Sequence, residues 1–213
     1  MPESEQRTEY HDNGQVKESC VLTDGKLDGE VVAYTEAGRV KQRAAFKAGK
    51  LDGDTLIYDE QGLVAQQMGF KDGRLEGQVI LYAEGKIQAA MSHRDGRQEG
   101  ESLTYDENGT VIQRSQYKGG KLDGQATSYD PEGAVVKESQ FRAGKLEGAT
   151  VAYYPNGRVQ TTMGYKANKL DGEMVSYSPE GEVVSRVLYK EGKPAPAEPL
   201  PPQPPPPQTP RPR

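Results

Sequence analysis

The chain has 213 residues with a formal net charge of −5, 33% hydrophobic residues and a single cysteine, Cys20. The acidic balance argues against the basic stripe by which proteins bind nucleic acid, and one cysteine excludes an intramolecular disulfide. The sequence starts without a signal-peptide pattern and contains no apolar stretch of membrane-spanning length, so we expect a cytoplasmic protein without a transmembrane segment.

A five-residue segment of the form Gly-Lys-Leu-Asp-Gly recurs at steps of 23 or 24 residues. Its copies occupy residues 25–29, 49–53, 73–77, 96–100, 120–124, 144–148 and 168–172. A fixed period of this size indicates a repeat architecture. Each unit is too small to bury its own apolar face, so neighbours must stack into one extended surface. Such surfaces are typical of binding proteins and seldom hold a catalytic pocket.

Each repeat begins with a predicted β-strand. A tyrosine follows the second glycine of the segment by five residues in all seven copies, namely Tyr34, Tyr58, Tyr82, Tyr105, Tyr129, Tyr153 and Tyr177. Two residues before each tyrosine stands an aliphatic residue or a threonine. This period of two is typical of a strand with one buried face.

A tight turn follows each tyrosine. Its clearest copies are residues 130–133, 154–157 and 178–181, where proline stands second and glycine fourth. Proline presets the backbone for a type I turn, and glycine accepts the left-handed conformation of a bulged hairpin. The copy at 83–85 is one residue shorter, which accounts for the single 23-residue step.

A second strand follows the turn. It carries a β-branched residue two positions after the turn glycine and a ring six positions further on, as in Val40 and Phe46. We expect Tyr34 to lie opposite Val40. Within each strand these residues are separated by even numbers of positions, so their side chains point to the same face. We therefore expect one face of the sheet to carry both ring series and the other face to be polar.

The predicted fold is therefore all-β. Each repeat is a β-hairpin, the five-residue segment is the turn to the next hairpin, and a further hairpin around Tyr10–Val16 brings the number to eight. About sixteen short strands form one long, twisted antiparallel meander over residues 1–193. Residues 194–213 contain 11 prolines and are predicted to be a disordered, proline-rich tail, either a polyproline II spacer or a docking segment.

These repeats resemble the variant MORN repeat. The resemblance rests on the recurring Gly-Lys-Leu-Asp/Glu-Gly, the tyrosine five residues on and the Asp/Pro-x-Asn/Glu-Gly turn, and it covers residues 10–192. Bacterial proteins built only of such repeats are similar to the YwqK family, described as antitoxin or immunity proteins. The resemblance implies a cytoplasmic protein that neutralises a toxin by binding it.

The sequence offers no convincing catalytic set. The two histidines, His11 and His93, stand in different repeats, and no pair has metal-ligand spacing. Cys20 occupies a slot held elsewhere by Ala44 and Met68, which favours a packing role. The acidic residues of the five-residue segment come once per repeat and are interpreted as turn formers. We expect no enzyme activity, no cofactor and no metal.

Our candidate partner-binding residues are Tyr58, Tyr82, Tyr105 and Tyr129, with His93 beside them. Tyrosine is a favoured hot-spot residue, although these rings also suit simple packing against each other. The fourth unit is unusual because His93, Gln98 and Ala89–Ala90 replace larger or more apolar residues, which indicates a bend, a binding spot or repeat drift. The alternative to an antitoxin is a membrane-proximal or cytoskeletal scaffold or adaptor. Both ends of the sheet also offer pairing with another copy, which would give a homodimer.

Overall fold

A computed structural model describes residues 3–195, and this part of the chain contains strands and turns without a helix. The strands are β1 (Ser4–Tyr10), β2 (Val16–Thr23), β3 (Lys26–Leu27), β4 (Gly29–Tyr34), β5 (Val40–Lys47), β6 (Lys50–Tyr58), β7 (Val64–Lys71), β8 (Arg74–Ala83), β9 (Lys86–Arg94), β10 (Arg97–Tyr105), β11 (Val111–Lys118), β12 (Lys121–Tyr129), β13 (Val135–Arg142), β14 (Lys145–Tyr153), β15 (Val159–Lys166), β16 (Lys169–Tyr177), β17 (Val183–Lys190) and β18 (Lys193–Pro194).

Strands that follow one another in the chain pair antiparallel, and β2 pairs with both β3 and β4, which together correspond to one long strand of the later repeats. The result is one open meander sheet of eight hairpins. The predicted all-β fold is confirmed. The tail predicted from residue 194 lies outside the described residues, except for Pro194 and Ala195.

The turn after each tyrosine is built as the sequence predicts. At Asp59 the backbone N–H donates to Leu63 O at 2.9 Å, and the N–H of Gly62 donates to Asp59 O at 3.1 Å. Gly62 takes a φ of 83°, a left-handed conformation that suits glycine. The Asp59 carboxylate also accepts from the Leu63 N–H at 2.8 Å, a local bond that fixes the turn.

Each of these turns leaves one extra residue on the strand that follows. In the first full repeat Tyr34 pairs with Val40 as predicted, but Ala33 pairs with Gln42, so that Lys41 has no directly opposite partner. A bulge of one residue reverses the alternation of side chains on the rest of the strand. The prediction of one shared apolar face is therefore wrong.

The two ring series lie on opposite faces of the sheet. We call the side that bears the seven repeat tyrosines, from Tyr34 to Tyr177, the tyrosine face. The other side, called here the leucine face, carries the second ring series, namely Phe46, Phe70, His93, Tyr117, Phe141, Tyr165 and Tyr189.

The turn between repeats is shorter than predicted. Ala48 and Gly49 alone form it, with φ angles of 49° and 84°, and Lys47 pairs directly with Lys50. Two successive positive φ angles define a type I′ turn, whose twist matches that of the flanking strands. The expectation that the whole Gly-Lys-Leu-Asp-Gly segment is the turn is thus wrong, because its lysine, leucine and aspartate already belong to the next strand.

The short turn at 83–85 belongs to the same two-residue type. Glu84 and Gly85 have φ angles of 51° and 76°, and Ala83 pairs with Lys86. A two-residue turn replaces the longer turn of the other repeats at this place. The predicted cause of the 23-residue step is confirmed.

The recurring leucine and glycine position the second ring series. Phe70 lies directly opposite Leu75 on one neighbouring strand and opposite Gly53 on the other. Glycine carries no side chain, so a ring can cover its backbone. A row of small residues runs across the sheet, between the rings and the strand ends that lie farther from the rings. Two of its members, Thr55 and Ala44, are 2% and 3% exposed. This row, which also contains the buried Cys20, is the core of the leucine face.

Candidate binding face

Four of the five candidate residues lie together on the tyrosine face. Each is directly opposite a β-branched residue, in the pairs Tyr58–Val64, Tyr82–Ile87, Tyr105–Val111 and Tyr129–Val135. Successive tyrosines are two strands apart, which is about 9.6 Å at the usual strand spacing. They form a regular ladder along the sheet.

His93 does not join this ladder. It pairs with Gly77 on one side and Gln98 on the other, which places it in the ring series of the leucine face. The extra residue Gln88 after the short turn causes this, because Leu81 pairs with Ala89 while Tyr82 pairs with Ile87. His93 Nδ1 lies 3.3 Å from Met91 O on its own strand.

Two tyrosines of the ladder donate a hydrogen bond to a polar side chain that occupies the same position on the preceding strand in both repeats. The Tyr153 hydroxyl donates to Glu138 Oε2 at 2.7 Å, and the Tyr82 hydroxyl donates to Gln67 Oε1 at 3.4 Å. The hydrogen bond to the Glu138 carboxylate, together with burial, raises the pKa of Tyr153 above its ordinary value. These bonds hold the rings against the sheet.

Tyr105 lacks such a partner because Ala90 occupies the corresponding slot. Ala90 pairs with Ile80 on one side and Leu103 on the other, so three aliphatic residues are adjacent beneath Tyr82 and Tyr105. Among residues 3–195, the hydroxyl of Tyr105 makes no hydrogen bond of the kind seen at Tyr153. This position is therefore apolar and holds only a small side chain.

Exposed aliphatic residues border this slot. Ile87 is 39% and Leu63 is 45% exposed, whereas the other large exposed apolar residues of the described chain belong to the first and last hairpins. A Cβ added at Gly85 would lie 3.8 Å from Leu63 Cδ1, which places Leu63 beside the short turn. We call the set Leu63, Tyr82, Ile87, Ala90 and Tyr105 the apolar patch.

The sequence indicated part of this patch. The Ala89–Ala90 pair and the tyrosines were signals that could be read from the repeat pattern. Leu63 and Ile87 were missed, because Leu63 stands in a turn and Ile87 occupies a slot filled by valine in every other repeat. The arrangement offers apolar contact and phenol hydrogen bonds to a partner surface.

Within residues 3–195, no three His, Cys, Asp or Glu side chains are grouped so that they could ligate a metal ion. The same residues include no apolar helix of bilayer-spanning length.

Comparison with known proteins supports the repeat class. The family model described as MORN repeat variant matches residues 98–118 and 170–191. No curated protein matches the chain. The MORN-type repeats and the meander sheet suggest a protein-binding repeat scaffold.

Among solved structures the similarity is weak. A mutant of S. aureus TarM in complex with fondaparinux, alpha-GlcNAc-glycerol and UDP is 15% identical with a TM-score of 0.25, over 55% of this chain and 20% of that chain. The Photorhabdus luminescens Tc holotoxin pore is 14% identical with a TM-score of 0.24, over 88% of this chain and 12% of that chain. The chain therefore spans a fifth or less of these structures.

Proposed function

We propose that this chain is a non-catalytic antitoxin or immunity protein of the YwqK type, which neutralises a protein toxin in the cytoplasm by binding it through the tyrosine face. The apolar patch is the observation that carries this proposal. It lies in the interior of the repeat array, where the neighbouring repeats have Gln67 and Arg114 in the slot of Ala90.

The chemistry of the patch suits a protein interface. Tyrosine is enriched among residues that dominate binding energy, and such residues cluster where aliphatic neighbours exclude water. In the free protein Tyr105 has an available hydroxyl and Ile87 is 39% exposed. A partner that covers both would bury apolar surface worth about 25 cal/mol per Å².

The repeat array supplies the remaining area. A stable protein complex buries about 800 Å² on each partner. The apolar patch alone is smaller than that, but the tyrosine ladder extends from it in both directions along the sheet. Repeats on either side would form the polar rim of the interface, including the ion pair of Arg114 with Glu101.

A co-expression experiment tests the proposal. The toxin candidate is the protein encoded beside this gene, and its growth inhibition is measured with and without the chain, together with binding by calorimetry. Ile87→Glu should abolish protection and weaken binding at least tenfold, because a carboxylate would be buried without a partner. The control is Val183→Glu, the same slot in the last repeat, where the side chain is 48% exposed.

Two results would refute the proposal. If the wild-type chain gives no protection and no binding, it is not an antitoxin for that toxin, and the array is better described as a structural scaffold. If both glutamate variants bind equally well, the partner uses another surface.

A further inference from the structure

Basic residues line one long side of the sheet. Every two-residue turn between repeats from 48–49 onward is flanked by two cations that pair directly across the turn. The pairs are Lys47–Lys50, Lys71–Arg74, Arg94–Arg97, Lys118–Lys121, Arg142–Lys145, Lys166–Lys169 and Lys190–Lys193. We call this side the lysine rim.

Like charges directly opposite each other destabilise a sheet, so seven such pairs in succession weaken the fold instead of stabilising it. In the earlier repeats the turn residues relieve the repulsion, since Asp72 lies 3.9 Å from Lys50 and Asp95 lies 3.6 Å from Arg74. At turns 119–120 and 143–144 the corresponding residues are Gly119 and Ala143, which carry no charge.

Ten consecutive rim cations, from Arg94 to Lys193, form no ion pair within residues 3–195, in contrast to Lys71, which lies 3.1 Å from Asp52. Six of them flank the three turns whose two residues carry no charge. They are Lys118, Lys121, Arg142, Lys145, Lys166 and Lys169, all exposed. Asp123 accepts the Ala143 N–H at 2.9 Å and Glu147 accepts the Ala167 N–H at 2.9 Å, and among the described residues neither carboxylate forms an ion pair. These six residues are the cation patch.

The opposite side of the sheet carries both signs of charge: Arg39 and Lys86 donate there to the backbone carbonyls of Glu60 and Glu107. Exposed glutamates lie on four successive turns there, namely Glu60, Glu84, Glu107 and Glu132, and none of them forms an ion pair among the described residues. We call these four the acid patch. The strands between the two sides are up to nine or ten residues long, or about 30 Å. This exceeds the Debye length of about 8 Å at physiological salt, so the two patches do not neutralise each other.

We propose that the cation patch binds the acid patch of a second copy of this chain, so that copies associate side by side. Charge complementarity is one argument for a second copy as the occupant. The other is spacing: both patches repeat every two strands of the same sheet, at about 9.6 Å, so consecutive charges match in register.

The charge pattern also determines the symmetry of this contact. When copies meet along one side of each sheet, a two-fold axis would place the cation patch against itself and would be repulsive. The contact is therefore heterologous, with one patch left free on each outer copy, and it propagates instead of closing as a dimer. Exposed ion pairs are individually weak, so association depends on several pairs acting together and is sensitive to salt.

Sedimentation of two complementary variants tests this directly. One variant carries glutamine at all six positions of the cation patch, and the other carries Glu60→Gln, Glu84→Gln, Glu107→Gln and Glu132→Gln. The wild type should form progressively larger species with concentration at about 0.1 M salt and dissociate at about 1 M, where the Debye length is 3 Å. Each variant alone should be monomeric, and an equal mixture should sediment as a heterodimer.

The two variants shift the net charge in opposite directions, so a common loss of association is not caused by overall repulsion. A wild type that stays monomeric at about 0.1 M salt would overturn the proposal, as would variants that associate like the wild type. Binding of the wild type, but not of the cation-patch variant, to anionic vesicles or to RNA without self-association would assign the patch to that partner and would likewise overturn it.

Discussion

Asp52 Oδ2 accepts a hydrogen bond of 3.2 Å from the backbone N–H of Asp72, which belongs to the turn of the next repeat. The acidic residue of every recurring segment, from Asp28 in the first to Asp171 in the last, accepts the equivalent hydrogen bond at a distance between 2.7 and 3.4 Å. A second bond accompanies it, as in the Gly73 N–H that donates to Leu51 O at 2.7 Å. The acidic residue and leucine of the recurring segment therefore fix the turn of the following repeat and join the two units.

The hydrogen bonds to the Asp52 carboxylate predict that the stability of the fold decreases at acid pH. The hydrogen bonds from Lys71 and from the Asp72 N–H lower the pKa of Asp52. A folded-state pKa below the unfolded value of about 3.9 means that the stabilisation is complete above that pH and is lost as the pH falls through the lower folded value. Asp52→Asn should lower stability at pH 7, and this difference should disappear as the pH falls through the folded-state pKa of Asp52. Urea unfolding against pH, with Asp54→Asn as the matched surface control, measures this.

The stabilisation by Tyr153 has the opposite dependence on pH. Its hydrogen bond to Glu138 raises its pKa, so the stabilisation is complete below the unfolded value of about 10 and is lost as the pH rises through the higher folded value. Tyr153→Phe should cost about 1 kcal/mol at neutral pH. Ultraviolet titration should also show that Glu138→Gln lowers the pKa of this phenol towards its ordinary value. An unchanged phenol titration in Glu138→Gln would show that the carboxylate is not its partner.

Two repeats depend on a glycine for close packing of the backbone. A Cβ added at Gly164 would lie 2.5 Å from the carbonyl oxygen of Asp171, a contact that forces the backbone to shift. Gly164→Ala should destabilise by about 1–3 kcal/mol, the usual cost of overpacking. Gln140→Ala, the same slot one repeat earlier, should change stability by less than about 0.5 kcal/mol. Equal unfolding midpoints for the two variants would contradict the predicted contact.

The fourth repeat can be strengthened by restoring the ring and leucine found elsewhere. His93 and Gln98 are directly opposite each other in the place of pairs such as Phe70–Leu75. His93→Phe combined with Gln98→Leu should stabilise the fold by about 0.2–1 kcal/mol through the cross-strand contact. The single variants provide the double-mutant cycle. A coupling energy of zero would mean that the two side chains do not touch.

Much of the fold was accessible from the sequence because local chemistry determines it. Prolines, glycines and a period of two predicted the strands, the turn after each tyrosine and the pairing of Tyr34 with Val40. The face of the second ring series was not accessible in this way. Lys41 looks like an ordinary polar strand residue, and only the pairing of Ala33 with Gln42 shows that it is an extra one.

The candidate site was accessible only in part for a similar reason. Tyr82 and Tyr105 follow from the repeat pattern, and the pairing of their neighbours confirms that they share a face. His93 was assigned to the wrong face because the extra residue Gln88 was not recognised. Ile87 and Val183 occupy the same slot and are exposed, whereas Val64 in that slot is half-buried, so the exposure of this slot changes between repeats and no single repeat reveals it.

The separation of the two faces is the central structural claim, and nuclear Overhauser effects of Tyr105 test it most directly. The account predicts contacts from the Tyr105 ring to Val111 and Arg114 on the tyrosine face, and none to the Tyr117 ring, which pairs with Gly100 and Leu122 on the leucine face. Contacts between the Tyr105 and Tyr117 rings would place both series on one side and would remove the basis for the tyrosine face as a separate binding surface.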